Sequence, residues 1–314
     1  MDWFGAALKP MPGGYSGETF LVGDESDEQF VVRIYRRDPG RAPVDASLLR
    51  LMRGIVPVAD VVEARPADND APAILVTRRI DGVPLDVVLR EDLDGIDWEQ
   101  LGLDVGAILA RLSGVPFLQG GMFEDAALGL APAPLPDDLT EWARHFRDDG
   151  RLAAWQQRDF DALLHLTDAA EDISAEAAEE DGGRVVLVHS DFNPKNILVD
   201  PDEGHVVGLV DWEFAYAGSP YADYGNLSRF EREDRLVGPA IEAFSDLAPR
   251  VRDIDGRARA ADLWALIELA GGVPSNPVRE LASELLLAQA RTGNLHAWPW
   301  KTPRVDPNSA KPVP

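Results

Sequence analysis

A polar segment between two apolar runs limits the folds open to this chain more than any other feature of its sequence. Residues 185–188 are apolar, residues 189–196 carry mostly polar side chains, and residues 197–199 are apolar again. Short apolar runs are typical of buried strands, and functional residues often lie on a loop that rigid elements hold from both sides. The sequence therefore predicts a fixed polar loop between two buried strands.

Another apolar run, residues 206–210, follows a turn rich in Asp, Pro and Gly and ends at Asp211. Two strands joined by a tight turn place their far ends side by side, so we expect Asp191, Asn196 and Asp211 to converge. Two carboxylates and an amide oxygen suit Mg²⁺. Phosphoryl transfer uses such a metal site together with a carboxylate that orients the attacking hydroxyl. The alternative is that Asp191 caps a helix while the other two residues lie in unrelated turns.

The spacing His189-x-Asp191-x₄-Asn196, followed by Asp211-x-Glu213, resembles the catalytic loop and metal motif of the aminoglycoside phosphotransferase/choline kinase family. That family is similar in fold to protein kinases, and among its members the chain resembles the viomycin and capreomycin phosphotransferases. The resemblance covers roughly residues 10–230. It implies that Asp191 is the catalytic carboxylate and that Asn196 and Asp211 are ligands of one or two Mg²⁺ ions.

The same resemblance implies supporting roles for three residues around this motif. His189 holds the loop, Glu213 is a second acid that lies behind the metal or binds it through water, and Asp223 braces the loop. Ser190 stands where the family usually has Gly.

A glycine-rich segment, residues 12–20, lies where the family has a nucleotide-positioning loop. Glycines allow the backbone to approach closely, so that N–H groups can meet phosphate oxygens. The resemblance assigns Gly14, Ser16 and Gly17 to the phosphates, with Ser16 adding a hydroxyl contact. The residues alone are equally consistent with an ordinary glycine-rich turn.

Arg33 stands on a predicted strand, at the position where protein kinases carry a Lys. A guanidinium also pairs with phosphate, and the resemblance therefore implies that Arg33 contacts the nucleotide. The helical Glu that pairs with this position in protein kinases is missing, and Asp45 is the nearest acid at a comparable place. We predict an Arg33–Asp45 pair, with a solvated strand Arg as the alternative.

Residues 75–82 resemble the hinge between the two lobes of this family. The resemblance implies that backbone groups from Arg78 to Ile80 read the base of ATP or GTP, with Thr77 at the back of the base pocket. These contacts are main-chain, so the side chains at the hinge do not test them.

Strand and helix patterns divide the chain into two unequal parts. In the first part we predict strands at 20–22, 30–35 and 73–77 and a helix at 44–52. After residue 82 the pattern becomes mainly helical, with helices at 98–112, 139–180 and 281–290 and a long loop at 118–136. We also predict that Asn276 caps the last helix, with Pro277 at its first position.

The predicted fold class is α+β, a bilobal protein-kinase-like fold with a small antiparallel-sheet N-lobe and a larger, mostly helical C-lobe. The N-lobe is expected at 1–80 and binds the nucleotide, with a hinge at about 77–82. The C-lobe is expected at 83–298 and carries the catalytic loop and the acceptor site, followed by a loose tail at 299–314.

Composition and charge exclude several functional classes. The chain has no cysteine, which excludes thiolate nucleophiles and cysteine metal sites, and its five histidines form no zinc motif. A net charge of −25 repels phosphate backbones, so nucleic-acid binding is not expected. No apolar run is long enough for a membrane span and no secretory signal is apparent, so we expect a cytoplasmic protein without a membrane partner.

The distribution of acids bears on the second substrate. Residues 137–181 contain fourteen acids and four arginines, and the resemblance places this segment at the wall of the acceptor pocket. Acids that line a cleft attract cations, whereas acids on an open face are screened by salt, and both interpretations stay open. Trp264 and Glu268, at helical spacing, are a further candidate pair for the acceptor, with a core role for Trp264 as the alternative.

We therefore predict a phosphotransferase that moves the γ-phosphate of ATP or GTP to a hydroxyl of a small cationic molecule. An aminoglycoside or a basic peptide antibiotic is the expected acceptor, which would make the protein an antibiotic-resistance enzyme. The alternatives are a metabolic kinase that acts on an amino alcohol, a sugar or homoserine, and a non-catalytic kinase-like binding module. The sequence leaves the oligomeric state open.

Overall fold

The N-terminal lobe is built on a five-stranded antiparallel sheet. The computed structural model describes residues 3, 9–11, 18–23, 28–69, 71–93, 95–132, 138–248, 252–273, 276 and 278–300. The elements of this lobe are β1 (Lys9–Pro10), β2 (Glu18–Gly23), β3 (Gln29–Tyr35), α1 (Arg41–Met52), β4 (Val61–Arg65) and β5 (Ala73–Arg78). The strands lie in the order β1-β2-β3-β5-β4. The predicted strands and helix are all present, and α1 begins before residue 44.

Alternation along β3 sends its side chains to two faces of this sheet. Phe30, Val32 and Ile34 are buried on one face, in a cluster with Ile74 and other apolar side chains. Arg33 therefore points to the opposite face, where it meets the C-terminal lobe.

The C-terminal lobe is mostly helical and carries two small antiparallel sheets. Its elements are β6 (Val83–Pro84), α2 (Leu85–Glu91), α3 (Trp98–Ser113), β7 (Pro116–Phe117), β8 (Gly121–Phe123), β9 (Leu130–Ala131), α4 (Leu139–Asp148), α5 (Gln157–Asp181), β10 (Val185–Val188), β11 (Ile197–Val199), β12 (Val206–Leu209), β13 (Tyr216–Gly218), α6 (Ala222–Ser228), α7 (Asp234–Leu247), α8 (Ile254–Ala270) and α9 (Val278–Thr292). The two sheets have the orders β7-β10-β13-β8-β9 and β12-β11-β6. Within the described ranges, no helix combines the length and apolar composition needed to cross a bilayer.

The sheet β12-β11-β6 joins the hinge to the catalytic loop. Strand β11 pairs with β12 on one side and with β6, directly after the hinge, on the other. Gly208 of β12 has no side chain, and a Cβ there would lie 2.8 Å from Cδ1 of Ile80. The hinge residue Ile80 therefore packs directly on the strand that leads to Asp211.

Three regions refine the sequence prediction. The predicted loop at 118–136 contains β8 and β9, and strands this short leave no detectable periodicity. The helical region at 139–180 is two helices, α4 and α5, separated by a turn. Asn276 Oδ1 accepts a hydrogen bond from the N–H of Val278 at 3.0 Å, so Asn276 caps α9 as predicted. Pro277 and residues 301–314 of the predicted tail lie outside the described residues.

One hydrophobic core runs through both lobes. Leu48 and Met52 of α1 belong to the same buried cluster as Leu101, Ile197 and Trp212 of the C-terminal lobe. A second cluster joins α4, α5, α8 and α9 farther from the hinge. Helix α1 is thus fixed to the C-terminal lobe by burial as well as by its own sheet.

Helices α3 and α7 cross at a glycine, and this crossing yields a stability prediction. A Cβ on Gly106 would overlap the carbonyl oxygen of Ala240 and lie 2.8 Å from Cβ of Ala243. Gly106→Ala should therefore lower the free energy of unfolding by about 1–3 kcal/mol, because the helices must separate. The measurement is urea denaturation.

Gly238→Ala is the matched control, because no atom of another element lies within 4 Å of its Cβ position in α7. There, the higher helix propensity of Ala and the crowding of a side chain that precedes Pro239 oppose each other, so the free energy of unfolding should change by less than about 1 kcal/mol. Equal effects of the two substitutions would contradict the close crossing.

Candidate active site

Asp223 fixes the start of the loop that carries the predicted catalytic carboxylate. Its carboxylate accepts hydrogen bonds from the N–H groups of His189 and Ser190, both at 2.8 Å. Asn226 Nδ2 donates to the carbonyl oxygen of Ser190 at 2.9 Å. Ser190 has a φ of 69°, in the left-handed region that favours glycine, and its two backbone contacts hold it there. Burial raises the pKa of Asp223 to about 7.

His189 lies fully buried beneath the loop. Its Nε2 is 3.1 Å from the carbonyl oxygen of Val210, and its Nδ1 accepts from the N–H of Asp191 at 3.3 Å. These partners assign the proton to Nε2. The ring also meets Trp212 edge to face, with 4.7 Å between centroids. Burial lowers the pKa of His189 to about 4, so the ring is neutral and structural.

Two amides hold the Asp191 carboxylate. Asn193 Nδ2 donates to Oδ1 at 2.6 Å, and Asn196 Nδ2 donates to Oδ2 at 2.7 Å. Burial and the neighbouring charge of Asp211 raise the pKa of Asp191, and the hydrogen bond from Asn196 opposes that rise. The structure therefore brings Asp191 and Asn196 into direct contact.

The β11–β12 hairpin places Asp211 beside Asn196. Ile197 lies opposite Leu209, and the N–H of Val210 donates to the carbonyl oxygen of Asn196 at 2.9 Å. Asp211 follows with a φ of 67° and begins the single 3₁₀ turn Trp212–Phe214. The three predicted residues thus meet at the open end of this hairpin.

Arg33 pairs with this turn and not with Asp45. Its Nη1 lies 2.5 Å from Oδ1 of Asp211, and its Nη2 lies 2.6 Å from Oε2 of Glu213. The predicted Arg33–Asp45 pair is wrong, because both oxygens of Asp45 accept hydrogen bonds from other side chains of its own lobe. The alternative of a solvated strand Arg is also wrong, since the side chain of Arg33 is only 14% exposed.

Asn196 and Asp211 have the chemistry to hold a divalent cation. Asn196 Nδ2 donates hydrogen bonds to the carbonyl oxygen and to Oδ2 of Asp191. Its Oδ1, which can only accept, is therefore the atom that could bind a metal. The carboxylates of Asp211 and Glu213 already contact a cation, the guanidinium of Arg33. In the described part of the chain no three His, Cys, Asp or Glu side chains form a ligand group. A Mg²⁺ ion would therefore depend on Asn196, Asp211 and substrate phosphates, a common arrangement for this metal.

Among the described hinge residues, the N–H groups of Arg78 and Arg79 have backbone partners, whereas those of Ile80, Asp81 and Gly82 have none. The N–H groups of Arg78 and Arg79 donate to the carbonyl oxygens of Asp60 and Gln29, each at 2.9 Å. The N–H of Ile80 has no such bond within the described part of the chain. The predicted phosphate contacts Gly14, Ser16 and Gly17 lie outside the described residues.

A cavity of about 170 Å³ opens beside Asp191. Its apolar lining comes from Leu89, Leu227, Phe230, Leu269 and Val278, and its charged lining from Asp86, Asp191, Lys195, Arg229 and Glu231. No described residue of the acidic segment at 137–181 lines it. Trp264 packs against Trp142, with 6.1 Å between ring centroids, and neither Trp264 nor Glu268 lines the cavity.

Arg229 is a buried cation at this cavity that sequence reasoning missed. Its Nε and Nη2 donate to the two oxygens of Asp262 at 2.8 and 2.6 Å. Its positive charge also opposes the rise in the pKa of Asp191. Because Arg229 and Asp262 are 33 positions apart on different elements, no local pattern in the sequence reveals the pair.

Comparison with protein families and curated proteins gives one match over most of the chain. Residues 7–263 match the model of the phosphotransferase enzyme family. Acyl-CoA dehydrogenase family member 11 of Gallus gallus is 32% identical over 85 residues, which is 26% of this chain and 11% of that protein. Family member 10 of Mus musculus is 40% identical over 40 residues, 13% of this chain and 4% of that protein. The matched regions thus span a small part of these curated relatives.

Solved structures confirm the predicted fold class. A GDP and kanamycin complex of an aminoglycoside phosphotransferase has a TM-score of 0.66 at 17% identity and covers 92% of this chain and 94% of that chain. A macrolide 2′-phosphotransferase from Brachybacterium faecium has a TM-score of 0.54 at 18% identity, with 88% and 91% covered. An ADP and hygromycin B complex of another aminoglycoside phosphotransferase has a TM-score of 0.61 at 16% identity, with 91% and 92% covered. At these identities the likeness shows the fold alone.

The neutral, buried His189 predicts a pH dependence of stability. Its pKa is about 4 in the folded chain and ordinarily 6.5, so between these values the unfolded chain binds a proton that the folded chain does not. The free energy of unfolding should therefore lose up to about 1.4 kcal/mol per pH unit from this group as the pH falls through that window.

Urea denaturation at several pH values, compared with His189→Asn, isolates this contribution. The variant should show a shallower loss of stability toward acid, and His205→Asn, whose parent side chain is 43% exposed, is the matched control. An identical slope in His189→Asn and wild type would contradict the buried, neutral assignment.

Proposed function

Because the chain belongs to the phosphotransferase enzyme family, we propose that it transfers the γ-phosphate of ATP or GTP to a hydroxyl of a small molecule. The observation that carries the proposal is the meeting of Asp191, Asn196 and Asp211 at the end of one hairpin. Asp191 and Asn196 are hydrogen-bonded at 2.7 Å, and Asp211 starts the adjoining turn. A carboxylate for the attacking hydroxyl and oxygens for a metal are the parts that phosphoryl transfer needs.

Asp191 orients the acceptor hydroxyl and accepts its proton. Asn193 and Asn196 fix the direction of its carboxylate, while one side remains open to the cavity. Burial raises its pKa, which makes the ionised carboxylate a better proton acceptor. Holding the hydroxyl in line with the phosphate supplies much of the rate, because positioning replaces a chance encounter.

The nucleotide lies between the lobes. Asn196 and Asp211 would hold one or two Mg²⁺ ions, with Glu213 close behind; bound Mg²⁺ neutralises charge on the phosphate oxygens. The guanidinium of Arg33, in the same cleft, pairs with a phosphate. Gly14, Ser16 and Gly17 cover the phosphates through their backbone. The base is read by the N–H of Ile80 and by backbone atoms of Arg78.

Two classes of acceptor have specific support. The net charge of −25 favours a cationic acceptor such as an aminoglycoside or a basic peptide antibiotic, and similar folds bind kanamycin and hygromycin B. The cavity of about 170 Å³ favours a second class, a compact amino alcohol, sugar or homoserine, since Asp86 and Glu231 in its lining suit an ammonium and Lys195 suits a carboxylate. A non-catalytic binding module is disfavoured because Asp191 and both predicted metal ligands are present together.

The first functional test removes the proposed catalytic carboxylate. Asp191→Ala should lower kcat about 10²–10⁴-fold, the usual contribution of a positioned general base. The affinity for the nucleotide without metal should be unchanged, because Asp191 faces the acceptor cavity. Steady-state kinetics and calorimetric titration with ADP measure the two effects.

Asp86→Ala, which removes another acid from the lining of the same cavity, is the control: it should raise the KM of the acceptor more than it lowers kcat. An Asp191→Ala variant with near-wild-type kcat would show that another group is the base.

The acceptor class is tested by a screen for nucleotide consumption. ATP and GTP are each offered with aminoglycosides, basic peptide antibiotics, amino alcohols, sugars and homoserine, and phosphorylated product is identified by mass spectrometry. We expect turnover with one of these classes that disappears in Asp191→Ala. Nucleotide binding without turnover on any hydroxyl compound would support the binding module instead.

A further inference from the structure

A guanidinium of the N-terminal lobe holds the backbone of the turn that follows Asp211. Arg41, the first residue of α1, donates from Nη2 to the carbonyl oxygen of Trp212 at 2.8 Å and to that of Ala215 at 3.3 Å. The N–H of Ala215 closes the same turn by donating to the carbonyl oxygen of Trp212 at 3.0 Å. The side chain of Arg41 is only 9% exposed, so these bonds form away from solvent.

Arg41 is itself fixed by a buried carboxylate. Its Nε donates to Oδ1 of Asp45 at 2.7 Å, and the hydroxyl of Tyr35 donates to Oδ2 of Asp45 at 2.6 Å. Both carboxylate oxygens of Asp45 therefore accept a hydrogen bond. A buried ion pair needs such hydrogen bonds to offset the loss of hydration. We call Tyr35, Arg41 and Asp45 the Arg41 cluster.

The backbone conformation of Asp211 explains why the turn that follows it needs stabilising contacts. Asp211 has φ 67° and ψ 63°, the left-handed conformation, which costs energy for a residue with a side chain. Strained backbone persists where its surroundings over-determine it. Trp212 and Ala215, the residues bound by Arg41, lie directly after Asp211 and at the end of the turn.

The two arginines of the N-terminal lobe hold different parts of the same turn. Within this turn, Arg33 contacts the side chains of Asp211 and Glu213, whereas Arg41 contacts only backbone oxygens. If Arg33 paired with a phosphate and a cation bound Asp211, the contacts of Arg33 with the turn would be lost. The contacts of Arg41 would remain, because none of them involves a group that we assign to the metal or the nucleotide.

We propose that the Arg41 cluster is a positioning device that keeps the carboxylate of Asp211 directed at the metal during nucleotide binding. The inference rests on the proposed function, because it assigns the cluster a role toward Mg²⁺-nucleotide. Groups that hold metal ligands from behind typically change metal affinity about 10–100-fold when they are removed.

Arg41→Met keeps the length of the side chain and removes every donor. We expect the affinity for ADP in the presence of Mg²⁺ to fall about tenfold or more, while the affinity for ADP in EDTA stays at the wild-type value. Calorimetric titration of the full chain under both conditions gives the Mg²⁺-dependent gain in affinity. Tyr35→Phe, which removes one hydrogen bond from Asp45, should reduce the same gain by less.

Arg50→Met is the matched control, because Arg50 is exposed on the same helix and loses the same charge. It should leave the Mg²⁺-dependent gain unchanged. Arg41→Lys should restore part of the gain lost in Arg41→Met, since an ammonium can reach Asp45 or a carbonyl oxygen. If Arg41→Met fails to fold, judged by its melting temperature, Tyr35→Phe and Arg41→Lys carry the test.

The inference is wrong if Mg²⁺ increases the affinity for ADP in Tyr35→Phe, Arg41→Met and Arg41→Lys as much as it does in the wild type. It is also wrong if the affinity falls equally with and without Mg²⁺, since that would indicate a general distortion of the nucleotide site. Asp211→Ala separates this inference from the proposed function. If Asp211→Ala loses the gain and the Arg41 cluster variants keep it, only the positioning role fails. If Asp211→Ala keeps the gain, the metal assignment itself fails.

Discussion

The antiparallel pairing of β11 with β12 is the contact on which the rest of the site depends. Ile197 opposite Leu209 sets the register, and a slip of one residue would turn the side chains at the end of the hairpin to the opposite face. With this register, Asn196 and Asp211 emerge together beside the loop that carries Asp191. The same sheet contacts the end of the hinge, because β11 also pairs with β6, the strand directly after the hinge. One small sheet thus connects the hinge to the loop that carries Asp191.

Three carboxylates lie close together in this region, and each is compensated differently. Asp223 accepts two backbone N–H groups, Asp211 meets the guanidinium of Arg33, and Asp191 accepts from the amide groups of two Asn side chains. A buried carboxylate with only neutral donors gains protons more easily than one beside a cation. Burial therefore raises the pKa of Asp223, and burial together with the charge of Asp211 raises the pKa of Asp191. Asp223 is committed to two backbone N–H groups, whereas Asp191 also lines the cavity, which is why we propose Asp191 as the proton acceptor.

The sequence predicted those parts of the site that lie close together along the chain. The polar loop that carries Asp191 and the hairpin ending at Asp211 follow from apolar runs separated by polar segments, which are local signals. The pairing of Arg33 with Asp211 joins residues 178 positions apart, and a single sequence holds no pattern for such a contact. Arg41 and Asp45 stand at i and i+4, a detectable spacing. The groups that Arg41 holds in the C-terminal lobe are two backbone carbonyls, which no side-chain motif can indicate.

The central claim is that Asn196 and Asp211 jointly hold the metal that accompanies the nucleotide. A crystal structure with Mn²⁺ in place of Mg²⁺ and a non-hydrolysable ATP analogue tests it most directly, because the anomalous signal locates the ion. We expect the anomalous peak to mark an ion that is bound by Oδ1 of Asn196, by the carboxylate of Asp211 and by phosphate oxygens. We also expect Arg33 to contact a phosphate. A metal bound without either side chain, or a nucleotide outside the cleft between the lobes, would contradict the account.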